Sequence, residues 1–543
     1  MTSLIERKAE TVRSFQAFAD GIEMPRWPAE IFLELSNVCD LKCAMCPTFS
    51  ALNPLRLLAL KETERGFLET GQIARPLEEL LTHALNVHCF GYGEPTIHPA
   101  FRESIEYLAG FEVMIDFFTN GMHIDADLAD FLVRSNVYRV TVSFSGATAE
   151  DYENVYLGGK FEQVLAGLRH LHDAKQRAGR LYPIVVINSL SFRHHIERLE
   201  DFVDLMAAHG VGHVEIKPLI EHGDFIPELA GHAAVIRPEV EGKIIERAKA
   251  RAEKIGMVLN LYGLDPVEGA AEPAPPAVAV GRFKEALRSF QPIRPEPASP
   301  IAPEPALPEA LGMKEMFDPE SPEAFHCMEP FKTLYVRRSG EVKPCCFASG
   351  PSLGSVMSGE GLDVWQGAAF STIRDGILNG VYSDALCGGC LKHKTAPVDH
   401  LIPALWHGYL YWHRAAHGSA GGTVPELPGN SELARRYRVR HPAPPKLEAY
   451  LDHLSRRRVL GWVWAPLQPD RRFEVSVRWR GQVFARGSAS VYRGDLESAG
   501  KGDGRYSYDL TLTPPLPDEA EAPEIELVIE GAGRVLRGAL FAQ

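Results

Sequence analysis

Nine cysteines are spread unevenly over 543 residues, at 39, 43, 46, 89, 327, 345, 346, 387 and 390, and all but Cys89 fall into two sets with metal-ligand spacing. Cys39-Asp40-Leu41-Lys42-Cys43-Ala44-Met45-Cys46 puts three thiols at C-x3-C-x2-C on one short loop. Three thiolates on such a loop can hold three corners of an iron–sulfur cube and leave the fourth iron open, whereas structural zinc usually takes four protein ligands. The second set is Cys327, then Gly340 and Cys345-Cys346, then Cys387-Gly388-Gly389-Cys390. Four thiols there suffice for one further [4Fe–4S] cluster or for one zinc ion. In a reducing compartment such clusters bind metal or do redox chemistry more often than they form disulfides.

The first cysteine loop directly follows the run Glu30-Ile31-Phe32-Leu33-Glu34-Leu35. Five similar β-branched or aromatic runs come after it, at 86–90, 113–118, 138–144, 184–188 and 213–216, separated by segments with apolar residues three and four apart, such as Phe161 to Leu171. Six β-then-α units imply a parallel sheet with right-handed crossovers, open or closed into a barrel, and ligands gather at the carboxyl ends of its strands. The expected class is α/β, an open sheet or a barrel, followed by a small α+β domain with the second cysteine set and an all-β sandwich. The corresponding bounds are an N-terminal helix at 1–28, the barrel at 29–235, a helix and Pro/Ala-rich linker at 236–310, the cluster domain at 311–395, an aromatic connector at 396–443 and the sandwich at 444–543. Eleven prolines between Pro266 and Pro308 mark the linker, interrupted by one short helix near Arg282 to Phe290.

The three-cysteine loop resembles the signature of the radical S-adenosylmethionine (SAM) superfamily, which implies that the parallel sheet is a partial (β/α)6 TIM-like barrel. Further motifs follow in order after the next strands: Gly91-Tyr92-Gly93-Glu94-Pro95, which is similar to that family's GGEP motif, then Thr119-Asn120-Gly121, then Ser143-Phe144-Ser145. The resemblance implies a [4Fe–4S] cluster on Cys39, Cys43 and Cys46 whose open iron chelates SAM, and one-electron cleavage of SAM to a 5′-deoxyadenosyl radical. It also implies SAM contacts from Gly91, Gly93, Glu94, Asn120, Ser143 and Asn188, with Glu94 facing the SAM ammonium and the two glycines admitting the ligand. Ser145 stands where relatives often carry Asp.

Downstream of such a core, Cys327, Cys345, Cys387 and Cys390 resemble the auxiliary-cluster domains called SPASM and twitch, with one auxiliary [4Fe–4S] cluster as the expected count and Cys346 able to replace Cys345. That leaves Cys89 and Cys346 as thiols that could return a hydrogen atom, and Lys217 as a base by position. Arg458-Val459-Leu460-Gly461-Trp462-Val463-Trp464 and the glycine turns after it resemble a β-sandwich module of bacterial glycosyltransferases. Trp462 and Trp464 would be core residues or a platform for sugar rings. The leading expectation is therefore a radical SAM enzyme dehydrogenating or epimerising a sugar, aminocyclitol or glycan precursor. The alternatives are a peptide- or protein-modifying enzyme and a zinc-stabilised, non-catalytic binding protein. A flavodoxin or ferredoxin would supply electrons. With 57 basic against 71 acidic residues and a net charge of −14, broad binding to nucleic acid is not expected. MTSLIERKAETVRSF lacks an apolar signal region and no run nears the roughly 18 apolar residues of a membrane span, so a soluble cytoplasmic protein is expected.

Overall fold

The structure is a computed structural model that describes residues 3–19, 23–50, 52, 65–221, 226–270, 276, 283, 313–315, 327–346, 348, 350–378, 381–387, 398–417, 448–465, 472–480, 482–517, 519–520, 524–529 and 534–537. They fall in two compact units, one within Met1–Met316 and His326–Gly429, the other within Phe317–Phe325 and Asn430–Gln543. Cys390 and nearly all of the proline-rich linker with its expected helix lie outside the described residues.

In the first unit α1 (Leu4–Ala19) precedes β1 (Glu30–Leu33). Strands β2 (Asn86–His88), β3 (Met114–Thr119), β4 (Arg139–Ser143), β5 (Ile184–Leu190), β6 (His213–Lys217) and β7 (Val258–Leu261) follow, each parallel to its predecessor. Between them lie α2 (Thr70–His83), α3 (Phe101–Ala109), α4 (Ala126–Arg134), α5 (Ala149–Val155), α6 (Phe161–Ala178), α7 (Arg193–Glu197), α8 (Leu199–Ala208) and α9 (Lys243–Lys254). These helices form where the sequence supplies an apolar stripe and ends. In α4, Asp125 accepts the Leu128 amide at 2.7 Å while Leu128, Phe131 and Leu132 are buried, and α6 stops at Gly179 in the left-handed region. The six expected strands are all present. The seventh, β7, lies beyond residue 235, because α9 and Val258-Leu259-Asn260-Leu261 make one more β/α repeat in a stretch expected to be helix and linker.

Past β8 (Met313–Glu315), the short α10 (Glu329–Lys332) leads into β9 (Thr333–Val336), which turns at Gly340, φ +82°, into β10 (Val342–Lys343). This hairpin is the expected one, but its partner was not foreseen. β9 runs parallel to β1, Glu30 opposite Thr333 through Leu33 opposite Val336, so one nine-stranded sheet holds both cysteine regions. After α11 (Gly361–Trp365), α12 (Ala368–Leu378), β11 (Val381–Ser383) and α13 (Asp384–Cys387), the aromatic connector opens as helix α14 (Val398–His417). Trp406, Tyr409 and Trp412 share its buried face, and Trp412 Nε1 donates to the Asn136 carbonyl at 2.9 Å.

Across β1 to β4 a buried polar chain replaces apolar packing. His88 meets Asp116 at 2.9 Å and Glu30 at 3.3 Å, Arg139 meets Asp116 at 3.2 Å, and Lys332 pairs with Glu30. Burial alone would lower the His88 imidazolium, but Asp116 and then Glu30 outweigh it and hold it up at about 9. A folded value above the unfolded 6.5 means that this contribution is complete below about 6.5 and is lost as the pH rises through 9. At about 1.4 kcal/mol per pH unit the loss is on the order of 3 kcal/mol. Urea midpoints measured from pH 6.5 to 9.5 should fall accordingly, and the fall should vanish in His88→Gln.

The second unit pairs two antiparallel four-stranded sheets. One is β12 (Glu448–Leu454), β13 (Arg458–Trp464), β17 (Arg505–Thr511) and β16 (Val491–Tyr492); the other is β15 (Gln482–Ser488), β14 (Glu474–Trp479), β18 (Ile525–Ile529) and β19 (Arg534–Arg537). Val459, Val463, Val475, Val477, Tyr508 and Leu527 build the shared core of the expected sandwich. Trp462 and Trp464 do not join it. Alternation sends Val459 and Val463 inward and the two indoles outward, where Lys501 Nζ sits 4.9 and 4.7 Å from their ring centroids.

Candidate active site at the carboxyl ends of the barrel strands

The first cysteine loop is pinned by backbone on both sides. Lys42 and Ala44 donate to the Leu157 and Val155 carbonyls at 2.9 and 2.8 Å, next to α5. On the other side Gly93 and Glu94 donate to the Ser36 and Val38 carbonyls at 3.1 and 2.8 Å. That second contact explains the glycines differently from the sequence. A Cβ on Gly91 would lie 2.5 Å from Glu34 Cγ, and one on Gly93 2.5 Å from both the Ser36 and Val38 oxygens. Both glycines are therefore required by the chain's own close approach to the cysteine loop. Gly93→Ala should cost about 3 kcal/mol, since its clash is with backbone that cannot rotate away, and should lower the urea midpoint far more than alanine at Gly71, where nothing lies within 4 Å.

The loops after β1 to β5 enclose a cavity of about 300 Å³ lined by Cys39, Cys43 and Cys46, and by all six expected contacts: Gly91, Gly93, Glu94, Asn120, Ser143 and Asn188. Glu94 is 2% exposed and already well used. Its Oε1 accepts the Thr96 amide and hydroxyl and the Thr119 hydroxyl, and its Oε2 accepts the Asn120 amide at 2.6 Å. Oε1 already takes three donors, whereas Oε2 takes one and keeps a lone pair for an ammonium group. Burial pushes the Glu94 carboxyl up while these donors pull it down. Asn188 Oδ1 is buried with no hydrogen-bond partner, an acceptor awaiting a donor in the cavity.

Asp40, between the first two cysteines, was not singled out in the sequence, yet it ties the loop to the chain after β3. Its Oδ1 accepts from Asn120 Nδ2 and its Oδ2 pairs with His123 Nε2, both at 2.8 Å. A carboxylate set among thiolates was the signal, since like charges so placed need a fixed partner. Burial pushes the Cys39 thiol up to about 12 and raises Cys43 and Cys46, with neighbouring thiols adding to the rise on Cys43. Such thiols ionise when a cation replaces the proton. Among the described residues no three His, Cys, Asp or Glu side chains close on a single metal ion. The three cysteines ring a cavity of 300 Å³ instead, which suits a polynuclear cluster with one thiolate per iron and space for a ligand on the open one.

In the second cysteine set, Cys345 and Cys387 both act electrostatically on Cys327, whereas Cys346 acts on Tyr92 and Tyr335. Glu34 links the two regions: buried at the end of β1, it accepts the Tyr92 amide at 3.1 Å and the Arg338 amide of the β9–β10 turn at 3.2 Å. Cys89 does not reach the site. It follows β2 on the face opposite His88 and Phe90, wholly buried in the core, and is not among the residues that line the cavity. Lys217 lies closer, pairing with Glu215 at 3.3 Å and sitting 5.7 Å from the ring centroid of Phe118, a residue of the cavity wall.

This fold and cavity agree with known families. Residues 33–208 match the Radical SAM superfamily and residues 327–391 match SPASM, the iron-sulfur cluster-binding domain. The chain carries a radical SAM domain, which holds a [4Fe–4S] cluster and SAM, followed by a SPASM domain, which holds auxiliary iron–sulfur. Similar curated proteins include the mycofactocin maturase MftC of Mycobacterium ulcerans, 28% identical over 201 residues, 36% of this chain and 48% of that protein. They also include the PqqA peptide cyclase of Streptomyces rochei, 26% identical over 193 residues, 35% and 48% of the two chains. The chain spans about half the length of these relatives. Among solved structures, Streptococcus suis SuiB bound to S-adenosylmethionine aligns over 67% of this chain and 72% of its own, at 14% identity and TM-score 0.43. No helix among the described residues is long and apolar enough to cross a membrane.

Proposed function

We propose that this radical SAM/SPASM protein modifies a precursor peptide, abstracting hydrogen from one of its residues. The observation that carries the chemistry is the single cavity in which Cys39, Cys43 and Cys46 meet Gly93, Glu94, Asn120, Ser143 and Asn188. When bound, the cluster and SAM supply one-electron reductive cleavage able to open an unactivated C–H bond. The chain's own part is positional. Glu94 keeps one acceptor position for the SAM ammonium, Asn188 Oδ1 accepts from a ligand donor, Ser143 faces the same space, and Phe90 and Phe118 give it apolar walls that exclude water. Cys327, Cys345, Cys387 and Cys390 would hold the auxiliary cluster, which in an oxidation takes up the electron that the substrate gives. A flavodoxin or ferredoxin would deliver electrons.

The peptide class rests on the maturase and the peptide cyclase among the relatives, and it displaces the sugar expectation, whose main support was the sandwich. In that sandwich Trp462 and Trp464 lie outside the core, as a platform requires, but Lys501 covers both rings. Anaerobic reconstitution, followed by assay with dithionite and SAM, tests the reading. Iron, sulfide and 5′-deoxyadenosine are expected, with deuterium passing into 5′-deoxyadenosine from a labelled precursor peptide encoded beside the gene. Zinc without sulfide would sink it in favour of a binding protein, and deuterium transfer from a sugar instead would restore the sugar reading.

A further inference from the structure

Behind the cavity wall runs a line of buried polar side chains that the proposed function leaves unused. His195 in α7, Ser189 in β5 and Ser145 beyond β4 are fully buried, and Tyr156, just past α5, is 2% exposed. His195 Nδ1 accepts the Gly146 amide at 3.1 Å. A backbone amide can only donate, so Nδ1 carries the lone pair and the ring proton sits on Nε2. Burial, which holds the imidazole down at about 3, keeps it neutral. Nε2 then donates to Ser189 Oγ at 2.8 Å and Ser189 donates to Ser145 Oγ at 3.1 Å. Ser145 Oγ also accepts the Leu190 amide at 2.9 Å, so its own proton goes to the Tyr156 oxygen at 3.1 Å. Each hydroxyl has one proton to give, and the direction fixed at Gly146 passes along the line until Tyr156 is left with its O–H free to donate.

Tyr156 lines the cavity beside Cys43, and Cys43 is the thiol that bears on it. The Val155 and Leu157 carbonyls on either side of Tyr156 hold the Ala44 and Lys42 amides on either side of Cys43, which fixes the two residues against each other. The geometry points to Tyr156 as a hydrogen-bond donor to sulfur at the Cys43 corner of the bound cluster, oriented by Ser145, Ser189 and His195 as positioning residues. This rests on the proposed cluster at the first cysteine loop. It also gives Ser145 a task in place of the Asp it replaces. A hydrogen bond to cluster sulfur favours the more negative, reduced state and so raises the reduction potential.

The test is an EPR-monitored redox titration of the reconstituted, SAM-free full chain, with ENDOR for solvent-exchangeable protons. In Tyr156→Phe we expect unchanged iron and sulfide, a midpoint of the SAM-site cluster moved to more negative potential, an unmoved auxiliary midpoint, and loss of one exchangeable proton coupled to the reduced cluster. Ser145→Ala, which keeps the phenol but removes the donor behind it, should shift the midpoint the same way and retain that proton. An unchanged midpoint and coupling in Tyr156→Phe overturn the assignment; if that variant takes up no cluster, an unchanged midpoint in Ser145→Ala does so. A shift seen only after SAM is added gives the O–H to SAM and overturns it equally. Wild-type protein without iron and sulfide overturns the cluster itself, a result distinct from all of these.

Discussion

Cys43→Ala should abolish reductive SAM cleavage while leaving the auxiliary site loaded. Cys43 is the middle thiol of the loop, flanked by the Lys42 and Ala44 amides that bond to the Leu157 and Val155 carbonyls, so the loop's backbone stays in place when the sulfur is removed. What is lost is one of three corners, and two thiolates do not hold a cube whose fourth iron must also stay open for SAM. The auxiliary thiols are on other elements, Cys327 before α10, Cys345 after β10 and Cys387 at the end of α13, so Cys43→Ala removes none of their sulfurs. Iron per chain should therefore fall by roughly half, from about eight to about four, with 5′-deoxyadenosine at background. A variant that keeps SAM cleavage would move the cluster elsewhere in the chain. One that loses all iron would show that the two sites load together.

Much of this was legible because the pattern was local. The x3 and x2 spacings put Cys39, Cys43 and Cys46 on one loop whatever the fold, and short β-branched or aromatic runs announced six barrel strands that end beside them. The contacts that cross the sequence were not legible. Gly91 and Gly93 read as space for a ligand, and the sequence does not show that they also make room for Glu34 and the carbonyls of Ser36 and Val38. Glu30 and Glu34 carried no signal in the sequence beyond their place in the first strand run; Glu34 is buried and Glu30 half-buried, one held by amides of Tyr92 and Arg338, the other by Lys332 and His88. The pairing of β9 with β1 spans some 300 residues and an intervening proline-rich stretch, and neither strand's residues encode their partner. Trp462 and Trp464 were ambiguous for a simpler reason: alternation says that they share a face, not which face is wet.

That unforeseen pairing carries the second large effect. Lys332→Met should destabilise the first unit by about 3–5 kcal/mol, the range for removing one partner of a buried pair. Lys332 is 8% exposed, and its ammonium serves Glu30, Glu329 at 3.1 Å and Thr333 at 3.2 Å, while its carbonyl accepts the Ala29 amide at 2.9 Å. The charge thus sits where β9 begins its register with β1. Burial opposes both charges, but Glu30 and Glu329 hold the lysine well above its ordinary value, and Lys332 with His88 holds the Glu30 carboxyl well below its own. Methionine keeps the length and removes the charge, leaving Glu30 with His88 alone and Glu329 with none of the lysine's compensation. Since the penalty is an uncompensated charge, Lys332→Met combined with Glu30→Gln should recover most of the loss, to within about 1–2 kcal/mol of wild type, with a coupling energy far above the few tenths expected of independent sites. Equal, additive losses in urea denaturation would mean that the pair is incidental to the β1–β9 seam. Recovery would show that one ion pair secures the hairpin carrying Cys345 to the strand that leads into Cys39, and so sets the spacing of the two cluster sites.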